Sequence, residues 1–293
     1  MRILITGAGG MLGQEFAPLL APRHEALTPS HATCNITDEA ALRRTFTESK
    51  PELVINCAAY SDVDGCERDP ERALSVNAQG AGNVARAAER LGARVFHIST
   101  DYVFDGTKRK PYTEHDATNP LSIYGQSKLE GERRVLLVAA KPSPHLVIRT
   151  SWLYGRYRTN FVDKTVEDAQ AGKPIVAVAE QVSCPTWTFH LAQRIVELIE
   201  TRASGILHLA GSGECSRYEM ARAIVSRFGA TGQNRPAEVI ATSWEKLNRP
   251  ARRPLRSALV STRLAELGLS PLPPWQEALD EYLRLRHSIA VAG

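Results

Sequence analysis

Tyr124 and Lys128 stand four residues apart in the segment SIYGQSKLEGERRVLLVAA, so on a helix they share one face. A free phenol ionises near pH ~10, and a neighbouring ammonium favours the phenolate and lowers that value. On this reading Tyr124 gives a proton to a developing alkoxide near neutral pH, while Lys128 also holds a ribose hydroxyl. Twenty-four residues before Tyr124, Ser99-Thr100-Asp101 closes an apolar run, and a hydroxyl there can hydrogen-bond a substrate carbonyl oxygen. A further group opens the chain. Gly7, Gly10 and Gly13 give the spacing G-x-x-G-x-x-G in Gly7-Ala8-Gly9-Gly10-Met11-Leu12-Gly13. Such glycines let the chain turn tightly and let backbone N–H groups approach a diphosphate at a helix N-terminus, which points to a dinucleotide. The acid that usually ends the second strand and holds the 2′-hydroxyl of NAD is missing from HEALTPSHATCNITD, and no arginine clamp for a 2′-phosphate replaces it. The choice between NADH and NADPH stays open.

These groups need a scaffold, and the hydrophobic pattern provides one. Arg2–Thr6, residues 53–57, residues 95–99 and Leu146–Thr150 are short apolar runs suited to strands buried on both faces of a parallel sheet. Between them, residues 38–49, with Thr37 or Asp38 as N-cap, and the alanine-rich residues 71–91, ended by Gly92, read as helices. The alternation predicts an α/β fold: a Rossmann-like doubly wound parallel sheet. Past residue 155 prolines cut the chain into shorter pieces. Strands are expected there at Ile175–Val178 and 206–209, and helices near 188–201, 216–228 and 275–286. Residues 1–155 thus form a dinucleotide-binding domain and 156–293 a smaller, mixed α/β substrate domain, partly interleaved, with 188–204 packing back onto the first. The tail SIAVAG is expected to fray.

Composition narrows the class further. Of 293 residues, 43% are hydrophobic and 23% charged, a globular balance that argues against disorder. Thirty-six basic residues against 32 acids give a charge of +4, too mild for a nucleic-acid binder and suited to an anionic small molecule. No apolar run reaches the roughly 20 residues that span a bilayer. The short apolar start merges into the glycine loop, unlike a secretory signal. Five scattered cysteines without a C-x-x-C pair argue against disulfides or zinc and for a reducing cytoplasm.

Taken together, Gly7–Gly13, Asn56-Cys57-Ala58-Ala59-Tyr60, Val76-Asn77, STDYVFDG at 99–106, Tyr124-Gly125-x-x-Lys128 and Arg149-Thr150-Ser151-Trp152 resemble the extended short-chain dehydrogenase/reductases. Within them the chain closely resembles the dTDP-4-dehydrorhamnose reductase family, through Pro185-Thr186, Arg253-Pro254 and Trp275 and so over nearly its whole length. The resemblance implies reduction of the C4 ketone of a dTDP-4-keto-6-deoxy-L-sugar, dTDP-4-dehydro-L-rhamnose, to dTDP-L-rhamnose, a precursor of surface polysaccharide, at the expense of NADPH or NADH. It implies that Thr100 and Tyr124 engage the sugar carbonyl and that Lys128 holds the cofactor ribose. Gly10, Met11 and Leu12 would touch the diphosphate, Ala59, Tyr60 and Ser61 the nicotinamide ribose side, and Asn35 and Ile36 the adenine. Asn35 replaces the acid usual in the family, which weakens that contact. Asp101 and Trp152 would contact the deoxysugar. Asn77 either caps a helix end or supports the site through backbone and water contacts. The resemblance leaves room for a homodimer.

Some relatives resemble a magnesium-bridged dimer built from three glutamates. Here only Glu15 matches, the other positions being Phe189 and Gln276, and phenylalanine offers no oxygen, so no such metal site is expected. Arg249, Arg252, Arg253 and Arg256 read either as a solvated face or as supplying one residue, Arg253, to the nucleotide diphosphate. Trp187, Trp244 and Trp275 read as packing residues and Cys57 as an inert thiol. The eight histidines show no ligand spacing. Two rivals share these motifs: a sugar-nucleotide epimerase, which keeps NAD bound and usually carries the missing acid, and a non-catalytic regulatory subunit like that of methionine adenosyltransferase.

Overall fold

The computed structural model describes residues 1–138, 143–228 and 237–292. Four apolar runs become parallel strands with both faces covered, β1 (Arg2–Thr6), β3 (Leu53–Asn56), β4 (Arg94–Thr100) and β5 (Leu146–Thr150), and β2 (Glu25–Leu27) pairs with β1 as a short, partly exposed edge. Alternate residues face opposite layers, as the pleat requires. Ile3, Ile5, Leu53, Ile55, Phe96 and Ile148 pack on one side with Phe16 of α1 (Gly13–Leu20). Leu4, Val54, Val95 and Val147 pack on the other with Phe46 of α2 (Glu39–Ser49). Burial of each such side chain contributes about 1.5–3 kcal/mol, so the two layers hold the sheet between them. Asp38 is the N-cap of α2, its carboxylate accepting from the amides of Ala40 and Ala41 at 2.9 and 3.0 Å.

The stretch expected as one helix over 71–91 is divided. The short helices α3 (Val63–Arg68) and α4 (Pro70–Leu74) lead into a π-helix, Ser75–Gly80, before α5 (Ala81–Glu89). Next to α5 lies α6 (Ile123–Val138), the helix of Tyr124 and Lys128. Ala139 and Ala140, the expected end of this helical stretch, lie outside the described residues.

After β5 come β6 (Leu153–Tyr154), α7 (Phe161–Gln170), β7 (Ile175–Val178), β8 (Val182–Ser183), β9 (Thr186–Trp187) and α8 (Thr188–Ile199). They are followed by β10 (Gly205–His208), β11 (Cys215–Ser216), α9 (Arg217–Phe228), β12 (Val239–Thr242) and α10 (Trp275–Ala292). The strand expected at 206–209 is β10, and it is not an element of the second region. It pairs in parallel with β5 and completes a sheet of order β10-β5-β4-β3-β1-β2. The reason is two-sided burial: Leu207 packs in the α1 layer and Ile206 against the α2 layer. Leu191, Ile195 and Leu198 of α8 also pack in the α1 layer.

The remaining strands form three two-stranded ribbons, β6-β9, β7-β12 and β8-β11. A third core gathers Tyr154, Val162, Trp187, Met220, Trp275 and Leu279. Trp187 and Trp275 are thus packing residues. α10 continues through the tail expected to fray, as far as Ala292.

Candidate active site

In the sheet, β1 lies between β2 and β3, so the winding direction reverses beside it and a cleft opens at the carboxyl ends of the strands. Gly7, with φ +70°, turns the chain out of β1, and a Cβ there would stand 2.6 Å from the Ala58 amide that follows β3. A Cβ on Gly13 would collide with the Gly7 carbonyl, so the loop admits no bulk from below. Above Gly9 the space is open. The Gly9 carbonyl accepts from Gln14 Nε2 at 3.2 Å and from Arg158 Nη2 at 3.1 Å, which places a cation at the loop. A tight loop with one open side and an arginine beside it fits a dinucleotide diphosphate.

Only part of the expected cofactor set has side chains in the cleft. Leu12 and Ile36 are buried in opposite hydrophobic layers, so their backbones alone can face a ligand. Asn35 folds onto its own turn, its Oδ1 accepting from the Thr37 amide at 3.1 Å and hydroxyl at 2.9 Å. Ala59 and Ser61 are exposed, and Tyr60 lies half-buried beneath Arg72, 4.5 Å from ring centre to guanidinium. Asn77 does not cap a helix end. From inside the π-helix its side chain accepts from the Tyr60 amide at 2.8 Å and donates to the Tyr60 carbonyl and to Ser127 Oγ, both at 3.0 Å. One amide thereby ties the β3 loop to α6, and a π-turn presents it.

β4 ends at Thr100 and continues into a 3₁₀ turn, Asp101–Val103. Ser99 and Thr100 point to opposite sides of the strand. Ser99 Oγ donates to the buried Glu132 at 2.5 Å, and the Thr100 hydroxyl faces Tyr124 closely enough to favour the ionised phenol. Ser122 caps α6 through the Gly125 amide at 3.2 Å, and Glu67 accepts the Ile123 amide at 2.8 Å. These caps fix the first turn, on which Tyr124 stands. Tyr102 meets Tyr124 edge to face at 5.8 Å.

Lys128, one turn on, is buried. Its Nζ donates to the Ile98 carbonyl at 2.6 Å and stands 3.5 Å from His97 Nε2. Behind it runs a polar chain: Thr6 Oγ1 donates to Asn56 Oδ1 at 2.7 Å, and Asn56 Nδ2 meets His97 Nδ1 at 3.0 Å. The Ala58 amide also donates to Asn56 Oδ1, at 3.2 Å, so the amide nitrogen faces the ring and His97 Nδ1 is the acceptor. Burial, reinforced by the charge of Lys128, keeps His97 neutral well below its ordinary pKa.

The expected electrostatics of the pair need correction. Burial pushes the Tyr124 phenol up, above its ordinary range, and Lys128 is not among the main groups that act on it. Burial pulls Lys128 down to about 8, against the opposing pull of Glu132 and Cys57. Lys128 is turned toward Ile98, so its charge is not aimed at the phenol. Cys57 follows β3 as a half-buried thiol, pushed up to about 12 by burial and so unreactive.

Asp101 is buried with both carboxylate oxygens engaged. Thr100 donates to Oδ1 at 3.2 Å, and Ser183 and Ser257 donate to Oδ2 at 3.0 and 2.5 Å. Burial raises its pKa to about 6, the hydroxyl donors opposing the rise. Trp152, after β5, holds a left-handed φ of +41°, and its indole carries the Arg217 guanidinium 3.6 Å from the ring centre. Arg253 is neither a solvated face nor a free cation. It grips Asp64 with two bonds, 3.0 and 2.9 Å, and lies over Trp244 at 4.8 Å. Trp244 is therefore half-buried under an arginine rather than a core residue. Arg256 pairs with Glu214 at 2.6 Å, and Arg249 and Arg252 are exposed. Glu15 is enclosed by Arg156 at 2.7 Å and Thr188 at 2.9 Å.

Asn56 stood in a motif but without a role, and several site residues had no foothold in the motifs: His97 behind Lys128, Ser183 and Ser257 around Asp101, Asp64, and Arg217. Glu132 had one, since it follows Lys128 by four residues and so continues the Tyr124–Lys128 face. It forms a buried pair with Arg149 of β5, 2.7 Å.

Parallel-sheet proteins that set a tyrosine and a lysine one helical turn apart beside a glycine loop make up the short-chain dehydrogenase/reductase class, and this chain has the long form of it. The family model described as the RmlD substrate binding domain matches residues 1–287, and the chain belongs to that family. Among curated proteins it is 43% identical over 284 residues to a dTDP-4-dehydrorhamnose reductase of Mycolicibacterium smegmatis, covering 96% of this chain and 84% of that protein. It is 36% identical to a dTDP-4-keto-6-deoxy-D-glucose reductase of Streptomyces niveus, over 96% of both. Among solved structures, a Bacillus anthracis dTDP-4-dehydrorhamnose reductase in complex with NADP superposes with a TM-score of 0.91 at 34% identity, over 96% of this chain and 98% of that one.

Proposed function

We propose that the protein reduces the C4 ketone of dTDP-4-dehydro-L-rhamnose to dTDP-L-rhamnose, with NADPH or NADH as the reductant. The observation that carries this reading is the meeting of Thr100 and Tyr124 at the end of β4, one turn from a buried lysine and across from the glycine loop. The names and the NADP complex of its relatives support the substrate and cofactor classes. Gly7, Gly10, Met11, Leu12 and Gly13 hold the diphosphate through their backbones. Ala59, Tyr60 and Ser61 face the nicotinamide side, Asn35 and the Ile36 backbone the adenine, and Lys128 the ribose hydroxyls. In this division residues 1–155 bind the cofactor and 156–293 the sugar nucleotide.

When bound, the reduced nicotinamide supplies a hydride to the sugar C4. The chain's own part is proton handling and alignment. When the ketone arrives, the Thr100 hydroxyl turns its single proton from Asp101 Oδ1 to the ketone oxygen and draws charge onto it. Tyr124, kept protonated by burial, gives up its phenolic proton to that oxygen as the negative charge develops, so ketone, hydride and proton together make the alcohol. Lys128, held by the Ile98 carbonyl, serves the cofactor ribose rather than the phenol. Trp152 bounds the sugar pocket, and Asp101 orients Thr100 by accepting its hydroxyl. No described helix is long and apolar enough to cross a membrane. The same reading has the enzyme act in the cytoplasm and is compatible with a homodimer.

The test is oxidation of NADPH and NADH by the purified protein across a panel of dTDP- and UDP-4-keto sugars. Tyr124→Phe is expected to lower turnover at least ~100-fold while cofactor still binds. A wild type inert with every 4-keto sugar, or a Tyr124→Phe variant with near-normal rates, would refute the assignment.

A further inference from the structure

Of the arginines around the cleft, most are already neutralised. Arg253 is bound by Asp64, Arg256 by Glu214 and Arg149 by Glu132, and Arg158 donates to the Gly9 carbonyl. Arg217, the first residue of α9, is different. Among the described residues its guanidinium has no salt bridge and no hydrogen bond. Its contacts are the faces of two rings, Trp152 at 3.6 Å and Phe161 at 4.8 Å. Burial pulls its pKa down to about 10, so it remains charged at neutral pH. A half-buried cation without an acceptor is costly in an isolated fold, and the cost is recovered when an anion arrives.

Its position says which anion. The charge of Arg217 is felt by Tyr102, whose ring packs on Tyr124, and by the carboxylate of Asp101, which accepts from Thr100. It thus stands one layer of side chains from the reacting groups, on the Trp152 side of the cleft and not at the glycine loop. Three arginines, Arg217, Arg249 and Arg253, interact there with two carboxylates, Asp64 and Asp101. Three guanidiniums against two carboxylates leave the patch net positive. Beside it Gln181, whose carbonyl accepts the Arg217 amide at 3.3 Å, is buried with a side-chain nitrogen that has no acceptor among the described residues. Lying over the indole, the guanidinium keeps its N–H groups clear of any acceptor among the described residues, and such a fork suits bidentate binding of phosphoryl oxygens.

We propose that Arg217, aligned on Trp152, is the residue that holds the diphosphate of the sugar nucleotide, in the place where the sequence had suggested Arg253. This rests on the function proposed above and adds a residue that decides its substrate affinity. The test compares Arg217→Met and Arg217→Lys with wild type, reading dTDP affinity by calorimetry, NADPH affinity, and KM and kcat for the 4-keto sugar nucleotide.

Arg217→Met is expected to weaken dTDP about 10- to 100-fold and to raise KM alike, with kcat and NADPH affinity within about twofold. Arg217→Lys, which keeps the charge but not the fork, is expected to fall between. Dissociation of dTDP from wild type should also weaken with added salt. Unchanged dTDP affinity in Arg217→Met overturns the proposal and leaves the reductase reading intact. An equal loss of NADPH affinity assigns the arginine to the cofactor and overturns it too. A wild type that binds NADPH but neither dTDP nor any 4-keto sugar nucleotide overturns both readings at once. Should Arg217→Met not fold, Arg217→Lys with wild-type dTDP affinity and salt-independent binding overturns it.

Discussion

Lys128 carries two conflicting requirements. Its ammonium is needed beside a ribose, yet it is buried, and that burial pulls its pKa from 10.5 to about 8. A base whose folded pKa lies below its unfolded value binds its proton more weakly in the fold. Below about pH 8 both states are charged and the fold bears the full burden, which lifts as pH rises from 8 to 10.5. The gap corresponds to about 3 kcal/mol. Lys128→Met is therefore expected to be more stable than wild type at pH 7, by up to about 3 kcal/mol. The difference should shrink to nothing by about pH 10.5, as read by urea unfolding across that range. An advantage for the variant that does not change with pH would contradict this account. The same shift predicts that the wild-type reduction rate falls above about pH 8, as Lys128 loses its charge.

Helix α6 is the element that turns spacing into a site. It sets Tyr124, Lys128 and Glu132 on one face, and its close approach to neighbouring backbone fixes how deep that face sits. Gly125 lies against the Tyr102 carbonyl and Gly131 against the Asn77 carbonyl, where any Cβ would collide. Since Asn77 also binds Tyr60 and Ser127, the π-helix, the β3 loop and α6 move as one unit. Gly131→Ala is expected to cost about 1–3 kcal/mol of stability. It should also lower cofactor affinity, because the Tyr60 loop shifts with Asn77. Denaturant unfolding and NADPH titration would check this, and a stable variant with unchanged NADPH affinity would show that the unit is not rigid.

Across the whole molecule, Asp101 joins the sheet to the second region. It lies just past β4, while its donors Ser183 and Ser257 come from β8 and from the segment after Arg253. Ser257→Ala removes the shorter of those bonds and leaves a buried carboxylate with one fewer donor, at an expected cost of about 1–3 kcal/mol at pH 7.5. Asp101 has a raised folded pKa of about 6, so below that pH the carboxyl is protonated and needs the donor less. The deficit should shrink as pH falls from 7.5 to 5, and melting curves at the two values would reveal a constant deficit if Asp101 were not responsible. Because Asp101 also accepts from Thr100, loosening this joint should lower turnover too.

Much of this protein was determined locally. Runs such as RILIT and LVIRT can bury both faces only in a parallel sheet, glycines after β1 leave space only for a tight turn, and a four-residue interval on a helix aligns Tyr124 with Lys128 whatever surrounds them. Those features depend on neighbours in sequence, so the fold class, the glycine loop and the shared helix face of Tyr124 and Lys128 were legible. What depended on distant partners was not. The residue spacing could not say that Lys128 turns to Ile98, that Asp64 would claim Arg253, that Ile206 and Leu207 belong to the main sheet, or that Arg217 would rest on Trp152. Charge state and availability follow from burial and from which opposite charge arrives within a few ångströms, and those distances are set only when segments far apart in the chain pack together.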